Sequence, residues 1–264
     1  MEYSNILYKV EDDIAKIVIN RPKALNALNA LTVKELAHAF GDAKENASVR
    51  VVILTGSGEK AFIAGADINE IKTNLEKGPM VVRGEFAIKG QRLVSTIENL
   101  GKPVIAAVKG YALGGGSEIV QACHLVVASE KSRFGQPEIN LGFNPCWGGT
   151  VRLPLQVGRK KALEMILTGE MIDAKEAYRL GLVNSVVPES DLMPTAESYA
   201  KKIIEKSGVA VRLCMDSILE GLEMSKTEAL SNEANALGLA AATEDSMEGV
   251  LAFLEKRIPV FQNK

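Results

Sequence analysis

An apolar run at residues 103–108 leads into Lys109-Gly110-Tyr111-Ala112-Leu113-Gly114-Gly115-Gly116-Ser117-Glu118, and apolar residues follow as far as Ala122. The first run reads as a buried strand. Three successive glycines interrupt it, because glycine is a poor interior residue for strand and helix alike. From about Ser117 to Ala122 the pattern restarts as a helix. A buried strand, a glycine turn and a helix in direct succession point to an α/β architecture.

Weaker versions of the same theme occur elsewhere. Residues 50–55 form a short apolar strand ended by Gly56-Ser57-Gly58, and residues 125–128 are again strand-like. The start reads as a hairpin, with runs at 6–10 and 14–20 joined by Glu11-Asp12-Asp13. Arg21-Pro22 ends its second strand, since proline lacks a ladder donor. Thr32-Val33-Lys34-Glu35 has the form of a capping box opening a helix whose apolar face is Val33, Leu36, Ala37 and Phe40. A second helix is expected around 86–100, with Leu93, Val94, Ile97 and Leu100 on one side. After Pro188 strand signals fade, and residues 196–207, 209–221, 227–242 and 246–257 read as helices. The chain thus divides into a mixed region, 1–195, and a helical subdomain, 196–264. Met247, Val250, Leu251 and Leu254 form an apolar stripe on the last helix, suited to self-packing or subunit packing.

The formal charge of −2 over 264 residues gives no general attraction to nucleic acid or to an anionic membrane. No run of about 20 apolar residues suggests a membrane span. No apolar segment follows a basic start, so no secretory leader is expected. Cys123, Cys146 and Cys214 lack metal-ligand spacing and read as free thiols of a reducing, cytoplasmic compartment.

Two acids carry the possible chemistry. Glu118 falls in the first turn of the helix behind the glycines, among Ile119, Val120 and Ala122. Helix-end acids are common, but burial among apolar residues would raise a carboxyl pKa and suit it to acid/base work. The helix N-terminus offers unpaired N–H groups for an oxyanion or a phosphate, although three glycines serve equally as a tight turn. Neither a Walker loop nor a G-x-G-x-x-G fingerprint is present. Glu138 lies in Phe134-Gly135-Gln136-Pro137-Glu138-Ile139, where Pro137 favours an extended or turn geometry. It reads as a solvated loop acid or as a group facing a cleft. A second glycine element, Ala61-Phe62-Ile63-Ala64-Gly65-Ala66-Asp67-Ile68, offers a strand-end turn or another backbone donor beside a ligand carbonyl. His38 and His124 have no partner pattern and read as structural.

In order and spacing these segments resemble the crotonase (enoyl-CoA hydratase/isomerase) superfamily. The likeness runs through Asn20-Arg21-Pro22-Lys23-Ala24-Leu25-Asn26-Ala27-Leu28, Ala64-Gly65-Ala66-Asp67, Gly110 to Glu118, Phe134 to Glu138, Gly148-Gly149-Thr150 and Phe253-Leu254-Glu255-Lys256-Arg257. It implies a spiral of ββα turns with a C-terminal trimerising helical region, as a homotrimer or a hexamer. It makes Glu118 and Glu138 the catalytic acid/base pair and Ala66 and Gly115 the oxyanion donors. Lys23, Ala24, Leu25, Ala64, Gly65, Asp67 and Ile68 take positions that contact coenzyme A, and Phe253 and Lys256 match a pair reaching a neighbouring subunit's coenzyme A. The implied activity is hydration of a 2-enoyl-CoA, with coenzyme A as part of the substrate and no separate cofactor or metal. A dienoyl-CoA hydratase or enoyl-CoA isomerase is the alternative within the superfamily. An RNA-binding relative is the non-enzymatic alternative, against which the balanced charges of residues 32–46 argue.

This chain departs from the superfamily pattern at Leu141-Gly142-Phe143-Asn144-Pro145-Cys146-Trp147-Gly148-Gly149, where Phe143, Cys146 and Trp147 are bulkier than usual. Leu113, Phe143, Pro145, Trp147 and Gly148 are the expected acyl-pocket residues. Trp147 either packs in the core or narrows that pocket toward short or compact acyl groups.

Overall fold

The structure, a computed structural model, describes residues 2–264 and falls into two compact units that meet between Ser198 and Tyr199. In the first unit β1 (Ile6–Glu11) and β2 (Ile14–Ile19) pair antiparallel around Asp12 and Asp13, both at positive φ, which aspartate tolerates in turns. A 3₁₀ turn at Pro22–Ala24 leads to α1 (Ala30–Glu45).

Three ββ units follow. β3 (Val51–Gly56) and β4 (Ala61–Ile63) precede α2 (Ile68–Glu76). A helical stretch comes next, made of α3 (Pro79–Val81), a π-type segment at Val82–Ile88 and α4 (Lys89–Glu98). β5 (Val104–Val108) and β6 (Tyr111–Leu113) precede α5 (Gly115–Ala122). β7 (Leu125–Ser129) and β8 (Arg133–Gly135) precede a 3₁₀ turn at Pro137–Leu141 and α6 (Gly149–Val157). The first strand of each unit joins a six-stranded sheet and the second a four-stranded one. β3, β5 and β7 are therefore parallel neighbours in the large sheet, and β4, β6 and β8 in the small one. The unit closes with α7 (Arg159–Thr168), β9 (Ile172–Asp173), α8 (Ala174–Arg179), β10 (Ser185–Val187) and α9 (Leu192–Ile204), the last running across the division.

β3 and β5 are buried at every position, which explains their uninterrupted apolar sequences: a parallel strand covered on both faces needs no polar side. The weak repeat near residues 51, 104 and 125 is this geometry, one sheet-crossing unit repeated. The core lies between the large sheet and α1, α4 and α5, with Phe40, Leu54, Leu93, Ile97 and Phe134 fully buried.

The helix starts differ from expectation. α1 begins earlier than the Thr32 box implies, because Asn29 caps it by accepting from the Thr32 N–H at 2.9 Å. Glu35, expected to cap its own helix, is buried and accepts from the Ser4 and Asn5 N–H groups, both at 2.8 Å. α5 starts at Gly115, two residues before Ser117, since glycine can enter the first helical turn. In the second unit α10 (Gly208–Gly221), α11 (Lys226–Ala241) and α12 (Glu244–Leu254) leave Leu222, Leu237, Phe253 and Leu254 exposed.

Candidate active site

The parallel pairing of β4, β6 and β8 brings three chain turns together. Beyond β4 comes Ala64-Gly65-Ala66-Asp67, beyond β6 Gly114-Gly115, and beyond β8 Gln136-Pro137-Glu138. The Gly114 N–H donates to the Gly135 carbonyl at 3.0 Å, tying the second turn to the third. Gly114 has φ 52° and ψ −124°, a conformation open in practice only to glycine. A Cβ there would also lie 3.1 Å from a Glu138 carboxyl oxygen.

The turns border a cavity of about 420 Å³ lined by Ala64, Gly65, Ala66, Gly115, Glu118 and Glu138, with Phe86, Phe143 and Cys146 along its apolar wall. Gly115 holds the first helical position of α5, so its N–H has no intrahelical acceptor. Among the described residues, no loop or cap hydrogen bond uses the Ala66 N–H either. Ala66 is held by a short parallel bridge to Leu28, through Leu28 N–H to Gly65 O and Asp67 N–H to Leu28 O, each 2.9 Å.

The loop before α1 is set by a buried amide. Asn26 donates to the carbonyls of Ser57 and Ala61 at 2.9 and 2.8 Å and accepts from the Arg21 N–H. Arg21 pairs with Asp67 at 3.0 Å, and Asp67 caps α2. Lys23, Ala24 and Leu25 sit on that loop, and Leu25 O accepts from the Ala64 N–H. The loop carrying Lys23 to Leu25 is thus tied to the turn that begins at Ala64. Phe253 and Lys256 lie in the second unit, with Phe253 83% exposed.

Both candidate acids reach the cavity. Glu118 is only 2% exposed, and one of its oxygens accepts from the Trp147 N–H at 2.7 Å and the Gly149 N–H at 2.8 Å. Burial raises its pKa, while those N–H groups and the nearby Arg152 charge pull it back toward the ionised form. Glu138 sits in the 3₁₀ turn, with Pro137 at its first position where no N–H is needed. Burial, with a smaller contribution from the Glu118 charge, pushes its carboxyl up to about 7. With the Gln136 amide oriented to satisfy its neighbours, its nitrogen donates to both Glu138 oxygens (3.0 and 3.2 Å) and its oxygen accepts from Gln121 at 2.8 Å.

The expected acyl-wall residues are divided between this cavity and its surroundings. Phe143 lines the cavity, but Leu113, Pro145, Trp147 and Gly148 do not. The Trp147 indole is turned inward and is 2% exposed. Its N–H donates to Phe86 O at 3.1 Å, and a Cβ on Gly115 would lie 3.2 Å from its ring. It stands behind Gly115 and borders a second groove with Leu28, Phe86 and Gly90. A large flat side chain gains more from complete burial than from edging a wet cavity. Sequence reasoning also missed Gln136 and Arg152. Both lie within or one turn beyond the motifs, but only side-chain direction reveals what they touch. His124 is structural: its ring accepts from the Val104 N–H at 2.9 Å and meets Glu98 O at 3.1 Å.

A buried and a partly buried carboxyl group facing one cavity beside the Ala66 and Gly115 main-chain amides form a site suited to proton transfer. The enoyl-CoA hydratase/isomerase family model matches residues 9–264, and the chain belongs to that family. It is 46% identical to a short-chain-enoyl-CoA hydratase of Clostridium acetobutylicum and 45% identical to a crotonyl-CoA hydratase of Syntrophomonas wolfei, with all of each chain covered. It also resembles the crystal structure of an enoyl-CoA hydratase from Bacillus anthracis, with a TM-score of 0.94 and 38% identity over 99% of this chain and 100% of that one.

Proposed function

We propose that this chain is an enoyl-CoA hydratase that adds water reversibly across the C2–C3 double bond of a 2-enoyl-CoA. The observation that carries the reading is the meeting of Glu118 and Glu138 in one cavity beside the Ala66 and Gly115 amides. The thioester oxygen rests on those two N–H groups. Glu118, whose pKa burial raises against the pull of its N–H donors and Arg152, acts in its ionised form and takes a proton from water as the water oxygen bonds to C3. The π electrons move toward the thioester, and the amides stabilise the enolate-like charge, a donor of this kind being worth about 10²–10³ in rate. Glu138, with its high pKa, delivers a proton to C2. This chemistry needs no metal or redox group.

Lys23, Ala24, Leu25, Ala64, Gly65, Asp67 and Ile68 would hold coenzyme A, largely through backbone. The names of the two relatives favour short acyl groups. By family resemblance we further propose a cytoplasmic homotrimer or hexamer in which Phe253 and Lys256 reach a neighbour's coenzyme A, and a chain organised as residues 1–195 and 196–264. Turnover of crotonyl-CoA tests the core of the reading. Glu118→Gln and Glu138→Gln should each lose about 10²–10⁴ in kcat with modest change in KM. A near wild-type rate in either variant removes that residue from the mechanism. Conversion of a 3-enoyl-CoA faster than hydration of crotonyl-CoA would make the chain an isomerase.

A further inference from the structure

Glu118 is held by a turn that is itself held from outside the cavity. Arg152, on α6, makes a two-pronged ion pair with Glu98 at the end of α4, at 2.8 and 2.5 Å. A third guanidinium nitrogen donates to the Trp147 carbonyl at 3.3 Å. That carbonyl belongs to the short segment whose Trp147 and Gly149 N–H groups bind Glu118. Gly148 lies between them at φ 120°, and a Cβ on it would sit 1.9 Å from the Arg152 guanidinium. Glycine is needed there both for the backbone conformation and for room to seat the arginine.

We propose that the Arg152–Glu98 pair is a positioning device for hydration, fixing the 147–149 turn so that its amides aim Glu118 at the reacting water. The pair is partly buried, its side chains 15% and 28% exposed, as is Arg21–Asp67 at 18% and 17%, so it is less screened by water than the exposed i,i+4 pairs such as Lys72–Glu76. Planar two-point geometry is something arginine provides and lysine does not. The titratable and charged groups around Glu118 are Glu138 from the 3₁₀ turn, the Cys146 thiol beside it and Arg152 from α6 with Glu98 behind; β4 (Ala61–Ile63) carries none.

The inference rests on Glu118 acting as base, so Glu118→Gln is measured alongside. Arg152→Met in the full chain should lower kcat for crotonyl-CoA about 10²-fold with KM little changed, as expected when a reacting group is misplaced by about an ångström. Loss of the nearby positive charge should move the acid limb of the kcat/KM profile to higher pH. Arg152→Lys should return that limb toward wild type while recovering only part of kcat. If Arg152→Met does not fold, Glu98→Gln replaces it, with a smaller loss of kcat expected in the same direction. A folded Arg152→Met with wild-type kcat, or one with lowered kcat and an unmoved acid limb, overturns the proposal. If Glu118→Gln is itself active, the assignment of the base fails, and that result is read separately.

Discussion

Replacing Glu138 by glutamine should weaken the enzyme and strengthen the fold, with the gain in stability depending on pH. The carboxyl titrates at about 7 in the folded chain against an ordinary 4.5, chiefly because burial penalises its charge. Between those values the folded chain retains a proton that the unfolded chain gives up. Stability from this group is complete below about pH 4.5, falls as pH rises through about 7, and is lost above it. At about 1.4 kcal/mol per pH unit the displacement corresponds to about 3 kcal/mol, which partial exposure of the side chain trims toward 2. Glutamine matches the shape, leaves Gln136 a bonding partner and cannot ionise. Glu138→Gln should therefore equal wild type in stability near pH 4 and exceed it by about 2–3 kcal/mol at pH 8. Guanidinium unfolding at a series of pH values, at one fixed protein concentration, measures the difference. A gap that stays flat with pH, or closes as pH rises, would refute burial as the cause of the displaced titration.

Three further outcomes follow from the same geometry. The kcat/KM for crotonyl-CoA should fall as pH rises above about 7, because Glu138, the acid in the proposed mechanism, loses its proton, and the Glu138→Gln profile should lack that limb. Gly114→Ala should cost about 10²-fold in kcat, since its strained backbone and new methyl displace both the Gly115 amide and Glu138; unchanged kinetics would show that the turn tolerates a side chain. Trp147→Ala should destabilise the chain by about 3–5 kcal/mol, the range for removing a buried aromatic. It should also raise relative turnover of longer enoyl-CoAs by joining the cavity to the groove behind it, and an unchanged chain-length profile would assign Trp147 to packing alone.

Local sequence determined the elements and the candidate chemistry. Uninterrupted aliphatic runs identified β3 and β5, the glycine run marked the turn before α5, and Glu118 and Glu138 stood out as candidate acids, whereas the roles of Ala66 and Gly115 came only from the family resemblance. These signals are local, because burial, backbone freedom and helix ends depend on a few neighbouring residues. The capping of α1 escaped because two caps were available, and the choice of Asn29 freed Glu35 to hold the N-terminal strand's amides, a contact about thirty residues away along the chain. Tertiary structure alone decided that the turns after β4, β6 and β8 converge, since strand order in a sheet is set by long-range pairing that composition does not encode. It also decided direction. Trp147, next to Cys146 in sequence, turns its indole into the core while Cys146 faces the cavity, and Arg152 reaches back to the Trp147 carbonyl. Which way a side chain points depends on every element packed around it, so a one-dimensional pattern names the residue and leaves its contacts to the fold.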